Sequence, residues 1–259
     1  MPPLCLVRRM ILDKKVAIIT GSGTGIGKAT ALLFAKEGAN VILFGRRDEK
    51  LKEVKNEIKD SHGKDAITVP GDVTNINDIK SLVSTTIERY GKIDILINNA
   101  GTFRTAEFLD TEIAEWDLVM NSNLKGVFLT TKEVIPHMLD KKGGTIVNIA
   151  SILGMVAVPN ATAYNSSKGG LIMFTKSIAA EYAKHNIRAN CICPGLVATP
   201  MTKDFMSEKE TMKEIIKGYP LGRFGKADDI AYPCLFLASE WSSWITGSIL
   251  PVDGGYTAI

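Results

Sequence analysis

Val16-Ala17-Ile18-Ile19-Thr20-Gly21-Ser22-Gly23-Thr24-Gly25-Ile26-Gly27, followed by Lys28-Ala29-Thr30-Ala31-Leu32-Leu33-Phe34, runs from an apolar strand pattern through a glycine turn into a helical pattern. Glycines at such a junction let backbone amides approach an anion at a helix N-terminus, where the helix dipole favours negative charge. Spacing excludes two related motifs. A P-loop needs glycine where Ser22 stands and Ser or Thr where Ala29 stands, which disfavours ATP hydrolysis. A strict G-x-G-x-x-G fails because its third glycine would fall on Ile26 or Lys28. The spacing present is T-G-x-x-x-G-x-G.

Outward from this turn, short β-branched runs recur at 16–20, 41–44, 66–69, 93–98, 145–150, 187–193 and 248–252. Helical patterns lie between them at 26–37, 48–60, 75–90, 112–139, 162–184 and 227–239, with a weaker one at 202–217. This alternation predicts an α/β fold: a single-domain, Rossmann-like, doubly wound sheet of about seven parallel strands flanked by helices on both faces. Near-continuous apolar strands such as Ile93-Asp94-Ile95-Leu96-Ile97 belong in a sheet covered on both sides. Ligands of such sheets sit outside the carboxyl ends of the strands, so chemistry is sought just after each strand.

Composition narrows the partners. A net charge of +3 spread along 259 residues lacks the basic stripe of a nucleic-acid binder. Nowhere do enough apolar residues run together to span a membrane, so the expectation is a cytoplasmic enzyme with no membrane partner. Cys5, Cys191, Cys193 and Cys234 have no metal-type or redox-type spacing and read as free thiols, with Cys191 and Cys193 on one strand face. No metal is expected. The opening MPPLCLVRRM reads as a poorly ordered extension over 1–12, ahead of a second candidate start at Met10; the domain proper is expected over 13–259.

The second strand ends in Gly45-Arg46-Arg47, where an NAD-binding fold of this type carries Asp or Glu for the ribose 2′-hydroxyl. Two guanidinium groups suit a 2′-phosphate instead. NADP(H) is therefore the preferred cofactor, with NAD(H) as the other dinucleotide the turn could take.

The glycine spacing resembles that of the short-chain dehydrogenase/reductase family, and so do motifs spread over nearly the whole chain. Tyr164-Asn165-Ser166-Ser167-Lys168 follows Ser151 by thirteen residues, and Asn123-Leu124-Lys125-Gly126 lies in an earlier helix. Asp72-Val73, Asn98-Asn99-Ala100-Gly101, Pro194-Gly195 with Val197 and Thr199, and the closing Val252-Asp253-Gly254-Gly255 complete the likeness. The resemblance implies a catalytic set of Asn123, Ser151, Tyr164 and Lys168. It implies a cofactor site of Gly21, Ser22, Thr24, Gly25, Ile26, Gly27, Arg46, Arg47, Asp72, Val73, Asn99, Ala100, Gly101, Tyr164, Lys168, Pro194, Gly195, Val197 and Thr199. Tyr164 would exchange a proton with the substrate oxygen as hydride moves between an alcohol and a carbonyl, with its pKa lowered by Lys168 and the positive nicotinamide. Ser151 would orient that oxygen, Lys168 would also bind the ribose, and Asn123 would hold a proton-relay water. Members are usually tetramers, so a homo-oligomer is expected.

The substrate wall is expected from Ser151, Leu153, Met155, Val156, Tyr164, Leu196, Met201 and Met206, which suits a small hydrophobic carbonyl or alcohol. A β-ketoacyl-acyl carrier protein reductase, a glucose dehydrogenase and a hydroxysteroid dehydrogenase all stay open. So does a dinucleotide-sensing protein without chemistry, although such proteins typically lose the tyrosine or lysine.

Overall fold

The computed structural model describes residues 10–259. Strand β1 (Val16–Thr20) is buried at every residue and pairs in parallel with β2 (Asn40–Gly45) on one side and β4 (Ile95–Asn98) on the other. Side chains that are apolar on both faces leave it no stable place but the middle of a covered sheet. With β3 (Ile67–Pro70), β5 (Gly144–Ile149), β6 (Ile187–Pro194) and β7 (Ile249–Val252), the order is β3-β2-β1-β4-β5-β6-β7, and every pairing is parallel.

Helices cover both faces. On one, α1 (Gly25–Lys36), α2 (Asp48–His62) and α9 (Ala227–Ala238) bury Phe34, Leu51, Ile58 and Ile230 against the sheet. On the other, α3 (Ile76–Tyr90), α5 (Gly126–Asp140) and α6 (Thr162–Tyr182) bury Leu82, Val134, Met138 and Ala179. The order of strands reverses between β1 and β4, so the chain leaves their carboxyl ends in opposite directions and opens a crevice there. Among the described residues no helix is long and apolar enough to cross a membrane.

Three elements depart from the sequence pattern. The helix expected over 112–139 is α4 (Ile113–Met120) and α5 joined by a π turn, Asn121–Lys125. The segment at 202–217 divides into α7 (Lys203–Met206) and α8 (Lys209–Ile216). Strand β4 begins at Ile95 rather than at 93, because the Asp94 carboxylate turns to accept the Val16 N–H at 2.7 Å and pairs with Lys92. The expected extension over 1–12 lies, for 1–9 and with them Cys5, outside the described residues. Leu12 belongs to the packed body: it is fully buried, and its N–H donates to the Glu37 carbonyl at 2.8 Å.

Beneath the crevice a polar chain crosses the buried centre. Asn98 of β4 donates through Nδ2 to Thr131 Oγ1 and to Asn148 Oδ1 of β5 at 2.8 Å, and Asn148 Nδ2 donates to Thr175 Oγ1 of α6 at 2.9 Å. All four residues are buried, so each bond strengthens in a low dielectric and each lost partner is costly. Asn148→Leu strands two groups at once and is expected to lower stability by about 2–4 kcal/mol in urea unfolding; a loss under about 0.5 kcal/mol would show the chain to be slack.

Candidate active site

The crevice is a cleft of about 690 Å³ above the carboxyl ends of the strands. Its floor is the glycine turn between β1 and α1. Gly21 has φ +65°, and a Cβ there would stand 2.9 Å from Ala100 Cα; Gly25 has φ +56°, and its Cβ would meet Thr199 Cγ2 at 3.2 Å. Both positions need glycine for conformation and for space. Thr24 precedes α1 without a side-chain cap, and the first turn of the helix carries no acidic residue. The leading amides of α1 are thus left for an anion, which fits the pyrophosphate of a dinucleotide.

At the end of β2, Arg46 and Arg47 are exposed and line the cleft. Arg47 Nη2 reaches Thr24 Oγ1 at 3.4 Å, which places a guanidinium directly over the turn. Asp72 and Val73 line the cleft after β3, and the Asp72 Oδ1 accepts the N–H and hydroxyl of Thr74, each at 2.9 Å. Asn99 braces the turn from the β4 side: its Nδ2 donates to the Thr20 carbonyl at 2.9 Å and to that of Gly21 at 3.2 Å.

On the opposite wall Ser151 lies two residues past the end of β5, and Tyr164 and Lys168 lie one helical turn apart on α6. All three line the cleft. Ser151 is backbone-extended, and its Oγ accepts the Leu153 N–H at 3.1 Å. The Tyr164 ring meets Phe103 edge-on, centroids 4.8 Å apart. Lys168 is buried, its Nζ donating to the Ile149 carbonyl at 2.8 Å and lying 5.6 Å from the Tyr164 ring centre.

Asn123 sits at the centre of the π turn and is fully buried. Its Oδ1 accepts the Thr102 N–H at 2.7 Å, and its Nδ2 donates to the Thr102 carbonyl at 2.9 Å and to Ser167 Oγ at 3.1 Å. The side chain is a clamp between the loop after β4 and α6. It does not itself line the cleft, and its amide donors are already engaged, so a water held here would not be held by them.

Of the other expected residues, Thr24, Ile26, Ala100, Gly101, Pro194, Gly195, Leu196, Val197, Thr199, Leu153 and Met201 line the cleft. Four do not. Ser22 is fully buried, with its N–H and Oγ both on the Phe44 carbonyl. Gly27 is packed behind the turn, where a Cβ would strike the Gly21 carbonyl oxygen. Val156, like Met155, is exposed after the short 3₁₀ turn Ile152–Gly154, and Met206 points elsewhere while its neighbour Phe205 lines the cleft. The substrate end also contains residues that the sequence pattern did not single out: Phe103, Arg104, Leu118, Ile215, Tyr219 and Tyr256. Tyr219 anchors this end, its hydroxyl accepting the Leu196 N–H at 2.8 Å.

A family profile described as enoyl-(acyl carrier protein) reductase matches residues 21–257. A 3-oxoacyl-[acyl-carrier-protein] reductase of Thermotoga maritima is 43% identical over 247 residues, covering 95% of this chain and 99% of that protein. The 2-(R)-hydroxypropyl-CoM dehydrogenase of Xanthobacter autotrophicus is 37% identical, again over 95% of this chain and 99% of its own length. Among solved structures, a gluconate 5-dehydrogenase from Burkholderia cenocepacia in complex with NADP and tartrate superposes with a TM-score of 0.92 at 34% identity, covering 97% of this chain and 98% of that one.

Burial acts on the two titratable groups of α6 in opposite senses. It pushes the Tyr164 phenol up to about 12, against a smaller downward pull from the Ser151 hydroxyl. It pushes the Lys168 ammonium down to about 8. The depressed phenol expected from the sequence is therefore not a property of the protein alone. A lysine whose folded pKa lies below its unfolded value destabilises the fold while charged, and that penalty is relieved as pH rises from about 8 toward 10.5. Over this window the stability of wild type minus that of Lys168→Met is expected to grow by about 3 kcal/mol, measured by urea unfolding at both ends; a flat difference would mean that Lys168 keeps its charge when buried.

Proposed function

The chain belongs to the short-chain dehydrogenase/reductase family, and on that premise we propose that it is an NADP(H)-dependent oxidoreductase interconverting a secondary alcohol and a ketone. The observation that carries this reading is the meeting of Ser151, Tyr164 and Lys168 on the wall of one cleft whose floor is an uncapped, glycine-lined helix start. A nicotinamide dinucleotide, when bound, supplies or removes the hydride.

The chain's own residues do the rest. Amides of the glycine turn hold the pyrophosphate, and Arg46 and Arg47 pair with a 2′-phosphate, a preference supported by the absence of Asp or Glu at the end of β2. Lys168, braced by the Ile149 carbonyl, offers its remaining N–H groups to the ribose. The Ser151 hydroxyl donates to the substrate oxygen and fixes it beside the phenol. In reduction Tyr164 gives its proton to that oxygen as negative charge develops, and in oxidation it takes the proton back. Asn123 keeps Thr102 and Ser167, and hence the Phe103 side of the cleft, in register with α6.

Tyr164→Phe is expected to lower kcat for ketone reduction by about 100- to 10,000-fold while leaving NADPH binding, followed by fluorescence, nearly unchanged; wild-type turnover in that variant would refute the acid/base role. Changing Arg46 and Arg47 together to Ala is expected to raise KM for NADPH by about 10- to 100-fold and to leave KM for NADH within about twofold. Equal effects on both cofactors would refute the 2′-phosphate assignment.

A further inference from the structure

On the reading just given, the substrate end of the cleft carries a charge that the acid/base chemistry does not use. Among the described residues Asp72 is the sole carboxylate lining the cleft, and it stands at the β3 side with its Oδ1 engaged by Thr74. Five cationic side chains among the described residues line the same cleft. Arg46 and Arg47 crowd the glycine turn, Lys50 is paired with Glu53, and Lys168 is held by the Ile149 carbonyl. Arg104 is the fifth, and among the described residues no carboxylate pairs with it.

Its placement is built from the backbone upward. Asn123 grips Thr102 through both its N–H and its carbonyl. Phe103 then lays its ring against Tyr164. Arg104 follows, about 3.8 Å along the chain from Cα to Cα, and folds its guanidinium back so that Nη1 donates to the Phe103 carbonyl at 2.8 Å and to Thr102 Oγ1 at 3.4 Å. Two residues further on, the Ala106 N–H donates to the Asn160 carbonyl at 3.0 Å and closes the loop onto the segment after Ser151. One edge of the guanidinium is thus spent on orientation, and its other N–H groups keep a donor pair for a ligand. Arg104 is exposed at the cleft, whose lining also includes the apolar Leu118, Leu153, Phe205 and Ile215.

We propose that Arg104 is a specificity-determining residue that binds an anionic group of the substrate, so that the preferred substrate is an aliphatic oxo acid. The ketone oxygen of such a molecule sits between Ser151 and Tyr164, its short chain lies on the apolar wall, and its carboxylate pairs with the guanidinium through charge-assisted, bidentate bonds. On this proposal one positive charge joins the largely apolar wall expected beside Ser151 and Tyr164.

The test compares 3-oxobutanoate, 4-oxopentanoate and 5-oxohexanoate with their methyl esters, in wild type and in Arg104→Gln, with NADPH. Wild type is expected to favour at least one acid over its ester by about tenfold or more in kcat/KM. Arg104→Gln is expected to raise KM for that acid by about 10- to 100-fold while changing kcat, and both constants for the ester, by less than about threefold. Arg104→Lys should restore part of the acid preference. An ester accepted as well as its acid, an equal loss on acid and ester in Arg104→Gln, or turnover of none of the acids despite NADPH binding would each overturn the assignment. The oxidoreductase reading fails separately, if NADPH does not bind or if Tyr164→Phe keeps full turnover.

Discussion

The Nζ of Lys168 donates to the Ile149 carbonyl at 2.8 Å in a site where the side chain is only 5% exposed, and this wall of the cleft takes its position from that bond. An ammonium buried without a partner would be intolerable, so α6 must dock where the last carbonyl of β5 can reach it. The docking is close. A Cβ on Gly154 would fall 2.6 Å from the Lys168 carbonyl carbon, so the turn that follows Ser151 needs glycine where it passes under α6. Tyr164, one helical turn before Lys168, is then carried to the face where Ser151 follows β5.

Two further polar clamps keep this wall in register with the glycine turn. The chain Asn98–Asn148–Thr175 ties β4, β5 and α6 together in the interior, and Asn123 ties the loop after β4 to Ser167 on α6. Apolar packing alone could fill the same volume with small sliding freedom. Directional bonds with both partners buried penalise a shift of even a fraction of an ångström, and that is the tolerance the proposed proton transfer demands. The π turn is what makes the Asn123 clamp reach: one extra residue in the helix turns an outward position inward, at the cost of a weaker local bonding pattern.

Much of this was legible in the chain itself. β-branched runs alternating with helical periods specify the order of elements, and the glycine spacing specifies the floor of the cleft, because both are local consequences of sterics and burial. The division of 112–139 was not legible. Its apolar period is continuous, and the π turn exists only because Thr102 and Ser167 arrive from elsewhere to satisfy Asn123. The same holds for the substrate wall. Val156 and Met206 have suitable chemistry but point away, since side-chain direction after a 3₁₀ turn or in a one-turn helix is decided by tertiary contacts. Ser22 and Gly27 belong to the right motif yet serve its packing. Arg104 lacked any motif, and only the contact of Phe103 with Tyr164 reveals where it stands.

The two shifted pKa values decide when a charged lysine can help the phenol ionise. An ammonium 5.6 Å from the phenol ring would, at an effective dielectric constant of about 20, stabilise the phenolate by about 3 kcal/mol, or roughly two pKa units. That help is available only while the lysine is charged. Burial has moved Tyr164 up to about 12 and Lys168 down to about 8, so in the protein alone the lysine is neutral before the phenol begins to ionise. The titration order withholds the mutual stabilisation. At neutral pH the cleft therefore presents a protonated phenol beside a charged lysine. Mutual stabilisation would require the phenol to ionise below about 8, which burial opposes.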